Sequence, residues 1–85
     1  MRLRSREVLV GLIDSAEISE REVARRAQLS HSTVNHLVTG RRTTCSLATA
    51  IAIENVFFSR PGAIFAPETR TEHEAVDELA RRRRS

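Results

Sequence analysis

The sharpest candidates for a nucleophile or a metal ligand in this 85-residue chain are Cys45 and three histidines, His31, His36 and His73. Their spacing fits no metal site, no nucleophile has an obvious base, and no Gly-rich loop is present to cradle a phosphate. An enzyme, a cofactor, a metal and a small-molecule ligand are therefore not expected, and Cys45 reads as a half-buried small residue before a helix. What remains is hydrogen-bonding chemistry. Placed at 100° per residue, His31, Asn35, Thr39, Ser32 and His36 fall at roughly 0°, 40°, 80°, 100° and 140°, whereas Leu37, Val34 and Val38 fall at roughly 240°, 300° and 340°. The two sets do not overlap. The polar arc of residues 31–39 carries no acid, and its amide, hydroxyls and imidazoles can donate to or accept from base edges in a DNA major groove.

The charge distribution points to the same stretch. All 14 basic residues are Arg, against 11 acids, so the net charge is only +3 while the isoelectric point is about 10.9, because guanidinium holds its proton to very high pH. Residues 1–18 hold three Arg and three acids, 46–67 one of each, and 68–85 five of each. Residues 19–45 hold five Arg against two Glu, which accounts for the whole excess. The length allows one small domain. A single Cys leaves no intrachain disulfide, and no apolar stretch approaches the ~20 residues of a membrane span. A soluble module of a reducing cytoplasm, without membrane association, is expected.

Local signals divide the chain into helices. A first helix from about Ser5 to Ser15 would bury Val8, Leu9, Leu12 and Ile13. Ser19 with Glu22 has capping-box spacing ahead of Val23, Ala24 and Ala27. Gln28-Leu29-Ser30 reads as a break, Ser30 as the cap of a third helix pinned by Val34, Leu37 and Val38, and Gly40 as its left-handed end. Arg41 to Thr44 is a polar loop. Ser46 caps a fourth helix to about Val56, with Leu47, Ala50, Ile51 and Ile53 inward. Phe57, Phe58, Ile64 and Phe65 are expected to close the core around a short helix begun by Pro61. Pro67 marks a boundary between a domain at 1–66 and an extension at 67–85. In the extension, Thr71 and Glu74 repeat the capping-box spacing, Ala75, Val76, Leu79 and Ala80 form a thin apolar stripe, and Arg81 to Arg84 fray into solvent.

The stretch SEREVARRAQLSHSTVNHLVTGRR followed by SLATAIAI resembles the helix-turn-helix of the phage repressor and Cro family, also called lambda-repressor-like or XRE, over roughly residues 5–66. Ala24 matches the small residue where the two helices touch, and Val34 and Leu37 the apolar positions of the second. Ser30-His31-Ser32 matches the start of the recognition helix, Gly40-Arg41-Arg42 the exit loop, and Leu47 to Ile53 the fourth helix. Two positions depart from the family pattern: Gln28 replaces the turn glycine, at a cost of about 1 kcal/mol for a side chain at positive φ, and Glu20 replaces the usual Gln at the start of the second helix. The resemblance implies an all-α, compact four- to five-helix lambda-repressor-like DNA-binding domain, plus a short C-terminal helix and Arg tail.

Carried over position by position, the resemblance makes His31, Ser32, Asn35 and His36 base readers. It places Arg21, Arg25, Thr33, Thr39, Arg41, Arg42 and Thr43 against phosphates. Beyond the resemblance, the run Arg81, Arg82, Arg83 and Arg84 reads as a set of tail phosphate contacts or as a solubilising tail. The implied partner is a double-stranded DNA operator, bound by a weak homodimer or one formed on DNA, with the stripe on the last helix as one candidate contact. The expected role is a transcription regulator, a phage Cro-like repressor in a bacterial cytoplasm and its nucleoid. An antitoxin that autoregulates its operon and a protein-docking helix-turn-helix module are the alternatives.

Overall fold

The computed structural model describes residues 1–84, with side chains through Arg82. The elements run β1 (Arg2–Leu3), α1 (Arg6–Ala16), α2 (Glu20–Ala27), α3 (His31–Thr39), α4 (Leu47–Val56), β2 (Phe65–Ala66) and α5 (Arg70–Arg84). Four helices start the same way. The hydroxyls of Ser5, Ser19, Ser30 and Ser46 accept from the backbone N–H three residues on, at Val8, Glu22, Thr33 and Thr49. Each satisfies one of the donors a helix start leaves open. The caps fix where each apolar stripe begins, and the stripes meet in one core: Leu9 and Ile13 of α1, Val23 and Ala24 of α2, Val34 and Leu37 of α3, and Ala50 and Ile53 of α4. Val8, expected inside, is 53% exposed, because the α1 stripe is carried by Leu9 and Ile13 with Leu12 partly buried.

The region after α4 departs from the expectation. No helix begins at Pro61. The segment turns, with Ala63 N–H donating to the Arg60 carbonyl at 2.9 Å, and then runs as β2, pairing antiparallel with β1 through Arg2 with Ala66 and Leu3 with Phe65. The turn is organised by Glu54, which is 1% exposed. Its carboxylate accepts from the backbone N–H groups of Gly62 (3.1 Å), Ile64 (2.9 Å) and Phe65 (3.1 Å). A continuing helix would have spent those donors internally. Ile64 and Phe65 are buried as expected and Phe57 packs against the core, but Phe58 is 91% exposed. Its left-handed backbone (φ 54°) turns the chain and leaves the ring outside.

The start of the chain lies between the exit loop of α3 and β2. Leu3 N–H donates to the Thr43 carbonyl at 2.8 Å, Cys45 N–H to the Met1 carbonyl at 2.9 Å, and Arg4 N–H to the Ile64 carbonyl at 3.0 Å. The Met1 ammonium donates to the Cys45 carbonyl at 3.0 Å and to Glu72 Oε2 at 2.8 Å. Glu72 thereby sets the start of α5. Its Oε1 accepts from the N–H groups of Glu68 and Thr69 while its own N–H donates to the Thr69 hydroxyl, so the capping box is Thr69 with Glu72, two residues before the expected Thr71 with Glu74. Val76 is buried and lies so close to Gly62 that a Cβ there would approach its Cγ1 to 3.0 Å. The stripe on α5 therefore covers the body of the domain at its centre. The Arg run stays helical through Arg84 instead of fraying.

Candidate nucleic-acid interface

α2 and α3 are joined by a turn whose geometry falls on Gln28. It adopts φ 58° and ψ 42°, and its N–H is directed at the carbonyls of Ala24 and Arg25. Leu29 N–H follows with a 2.8 Å bond to the Ala24 carbonyl. This is the double closure of a left-handed helix end, so Gln28 takes the conformation that glycine adopts freely and bears its steric cost. At the other end of α3, Gly40 (φ 82°) caps the helix, and Arg6 Nη1 donates to the Thr39 carbonyl at 3.4 Å. The guanidinium there meets the negative end of the helix dipole.

α3 divides as its angular pattern requires. Val34 and Leu37 are each 1% exposed, whereas His31, Ser32 and Thr39 are open and Asn35 and His36 half-buried. The four expected base readers thus share one side of one helix. Thr33 is half-buried, its hydroxyl 2.8 Å from that of Ser30, and the Thr39 hydroxyl donates to the Asn35 carbonyl at 2.8 Å. Both threonines are engaged within the helix and retain acceptor lone pairs.

The arginines separate into two groups. Arg25 and Arg26 converge on Glu22: Arg25 through several contacts, with Nε 2.9 Å from Oε2, and Arg26 at 3.4 Å. The Arg25 hydrogen bonds hold the Glu22 carboxyl below its ordinary value near 4.5. Glu22 is spent on these arginines and not on the Ser19 N–H that a full capping box would use. Arg21, Arg41 and Arg42 are exposed and, among the described residues, have no carboxylate within ion-pair distance. They carry the unbalanced positive charge of the 19–45 block. Thr43 is exposed beside them, with its carbonyl tied to Leu3. Arg81 and Arg82 each pair with Glu78, at 3.1 and 3.2 Å. The Arg83 and Arg84 side chains lie outside the described residues.

A cleft of about 410 Å³ lies between α3 and the start of α4, lined by Ser32, Thr33, His36, Leu37, Arg42, Thr44, Cys45, Ser46 and Thr49. Hydroxyls, an imidazole and a guanidinium dominate it. Cys45 contributes no thiolate: burial pushes its pKa up to about 11, against the smaller opposing effect of the Met1 ammonium. Ser46 and Thr49 were not among the expected contacts, although the cap spacing places both at the N-terminal end of α4.

One acid enters this surface that the α3 wheel does not contain. Glu20, the first residue of α2, accepts a 3.0 Å hydrogen bond from Asn35 Nδ2, and the same oxygen lies 3.8 Å from His31 Nε2. The bond spans 15 residues and has no local sequence signal.

No helix among the described residues is long and apolar enough to cross a membrane. No curated protein and no solved structure matches the chain. Residues 12–64, more than half of the chain, match the helix-turn-helix family, over the segment that contains α2, its left-handed turn, α3 and α4. With the all-α fold and the polar outer face of α3, the match establishes that the chain belongs to the helix-turn-helix family of XRE-type, lambda-repressor/Cro-like DNA-binding transcription regulators.

Proposed function

We propose that the chain is a sequence-specific repressor of the phage Cro type, acting on an operator in the bacterial nucleoid. α3 enters the major groove with His31, Ser32, Asn35 and His36 at base edges. Arg21, Arg41 and Arg42 meet phosphates, joined by Thr33, Thr39 and Thr43, and by Arg25 once it leaves Glu22. The observation that carries this reading is the division of α3: Val34 and Leu37 are fully used by the core, and the opposite face is polar, with His31, Ser32 and Thr39 exposed, Asn35 and His36 half-buried, and Arg21 and Arg42 beside it with no acidic partner among the described residues. The cleft beside Arg42 offers a guanidinium and several hydroxyls together, the donors that a phosphate oxygen accepts from. Seating of Val76 on the body favours a regulator over an antitoxin, whose tail would have to remain free for a toxin.

The operator is read as two half-sites about one DNA turn, ~34 Å, apart, by a weak dimer or a pair assembled on DNA. Tail arginines 81–84 add phosphate contacts, so truncation after Ala80 weakens binding on all sequences alike. The test is a mobility shift on random duplex at low salt, where nonspecific binding is expected to be tighter than the Kd of roughly 10⁻⁴–10⁻⁶ M typical of physiological salt. Absence of retardation at those concentrations sinks the reading, and co-purification with a toxin replaces it by the antitoxin. A monomer both on and off a symmetric site in sedimentation removes the dimer.

A further inference from the structure

A carboxylate on a surface that meets phosphates opposes binding unless it does something else there. Glu20 has a side chain 31% exposed and lies in a shallow hollow bordered by Asp14 of α1, Ser19 and Arg21 beside it, and His31 of α3. Arg21 and His31 are the cationic or protonatable groups bordering it, and Asp14 is a second acid. Among the described residues, the hydrogen bond reaching Glu20 across the helix pair comes from Asn35 Nδ2.

A terminal carboxamide turns through a broad, roughly two-fold potential, so an unanchored Asn presents its oxygen or its NH2 to a groove with little preference. A carboxylate only accepts. It therefore draws the NH2 side of Asn35 toward itself and fixes which end is the oxygen. One N–H is consumed, while the second N–H and Oδ1 remain. Against adenine N7 and N6 the amide uses Oδ1 together with the N–H cis to it, the pair left free when Glu20 takes the trans N–H.

Resting on the DNA-binding reading above, we propose that Glu20 is a specificity-determining positioning residue: it locks the Asn35 carboxamide in the adenine-reading orientation and, through its charge, weakens attachment to DNA that offers only phosphates. Both effects act on the ratio of specific to nonspecific binding, and neither requires Glu20 to touch a base.

The test uses the full chain and two probes, the duplex recovered by selection from a random pool and a scrambled duplex of equal length. Glu20→Gln is isosteric but can present either an oxygen or an NH2 to Asn35, so it unlocks the amide and removes the charge. Affinity for the scrambled duplex is expected to rise about threefold, and discrimination at one A·T pair per half-site to fall about tenfold. Glu20→Ala, which cannot anchor the amide at all, loses at least as much discrimination. In an Asn35→Ala background, Glu20→Gln leaves discrimination unchanged, because the group it positions is gone. Equal gains on both duplexes with discrimination intact would overturn the assignment, as would a discrimination loss that persists undiminished without Asn35. A wild-type chain that binds both duplexes equally removes the sequence-specific reading and this proposal with it, and leaves nonspecific DNA binding standing.

Discussion

Replacing Glu54 by Gln removes one charge and changes almost no volume, yet it should be among the most damaging single changes in the domain. Oε1 accepts from Gly62 N–H, and Oε2 from both Ile64 and Phe65 N–H, at 2.9 to 3.1 Å in a site that is 1% exposed. A carboxamide has one accepting oxygen. Its best orientation keeps that oxygen on the Ile64 and Phe65 pair and turns an NH2 against Gly62 N–H, leaving that donor unsatisfied at about 1–3 kcal/mol. The two surviving bonds also lose their charge assistance, roughly halving their strength. A total loss of about 2–4 kcal/mol follows, against a stability of about 4–13 kcal/mol for a chain this size. Glu54→Ala, which orphans all three donors, should leave little folded protein. Urea unfolding followed by far-UV circular dichroism measures the loss as a fall in midpoint at unchanged slope. The matching drop in Tm is about 4–8 °C per kcal/mol. A Gln variant within about 0.5 kcal/mol of wild type would refute the idea that this carboxylate organises the turn into β2.

Three further outcomes are expected. Asn35→Ala should cost about 1–3 kcal/mol on the selected operator and little on random duplex, as read by fluorescence anisotropy; equal losses would remove it from the base readers. Arg41→Ala and Arg42→Ala should weaken binding to every sequence alike and each reduce the slope of log K against log salt by about 0.9, and an unchanged slope would mean that neither meets a phosphate. Glu72→Gln should lower Tm most between about pH 5 and 8. Glu72 is held below its ordinary 4.5 by the hydrogen bond from the Met1 ammonium and by the N–H groups of Glu68 and Thr69. Its contribution is therefore present above the unfolded value and lost as pH falls through the folded one. Burial lowers the Met1 ammonium pKa, but the Glu72 bond and the Glu72 and Glu68 charges outweigh it and raise the value above 8.0. That contribution is full below 8.0 and disappears as pH rises through the folded value, so the gap between variant and wild type should close at both extremes.

The parts of the molecule governed by local rules were readable in advance. Ser5, Ser19, Ser30 and Ser46 cap by contacts three residues long, and the Val34/Leu37 stripe follows from helical periodicity, so α1 to α4 and the open face of α3 come directly from the chain. The misses involve contacts between distant residues. Thr71 with Glu74 and Thr69 with Glu72 have identical spacing, and the choice is made by Met1, 71 residues away from Glu72. β1 and β2 are two residues each, too short for any periodicity to appear. Glu54 looks like an ordinary polar residue near a helix end, because its partners lie 8 to 11 residues on: Pro61-Gly62 marks the turn, but no local spacing ties that turn to Glu54. Hydrophobicity alone puts Phe58 inside, whereas the left-handed backbone at that residue turns its ring out to solvent. Within the candidate site, the α3 wheel identified the polar face but had no means of showing the acid contributed by α2.

Selection of bound sequences from a random duplex pool tests the central claim most directly, since the open face of α3 is assigned to reading bases. The account predicts convergence on a site of two inverted half-sites about one helical turn apart, with an A·T pair in each half whose preference disappears in Asn35→Ala. A pool that remains random after repeated selection, while the protein still retards DNA at low salt, would contradict it and leave only a phosphate-binding surface.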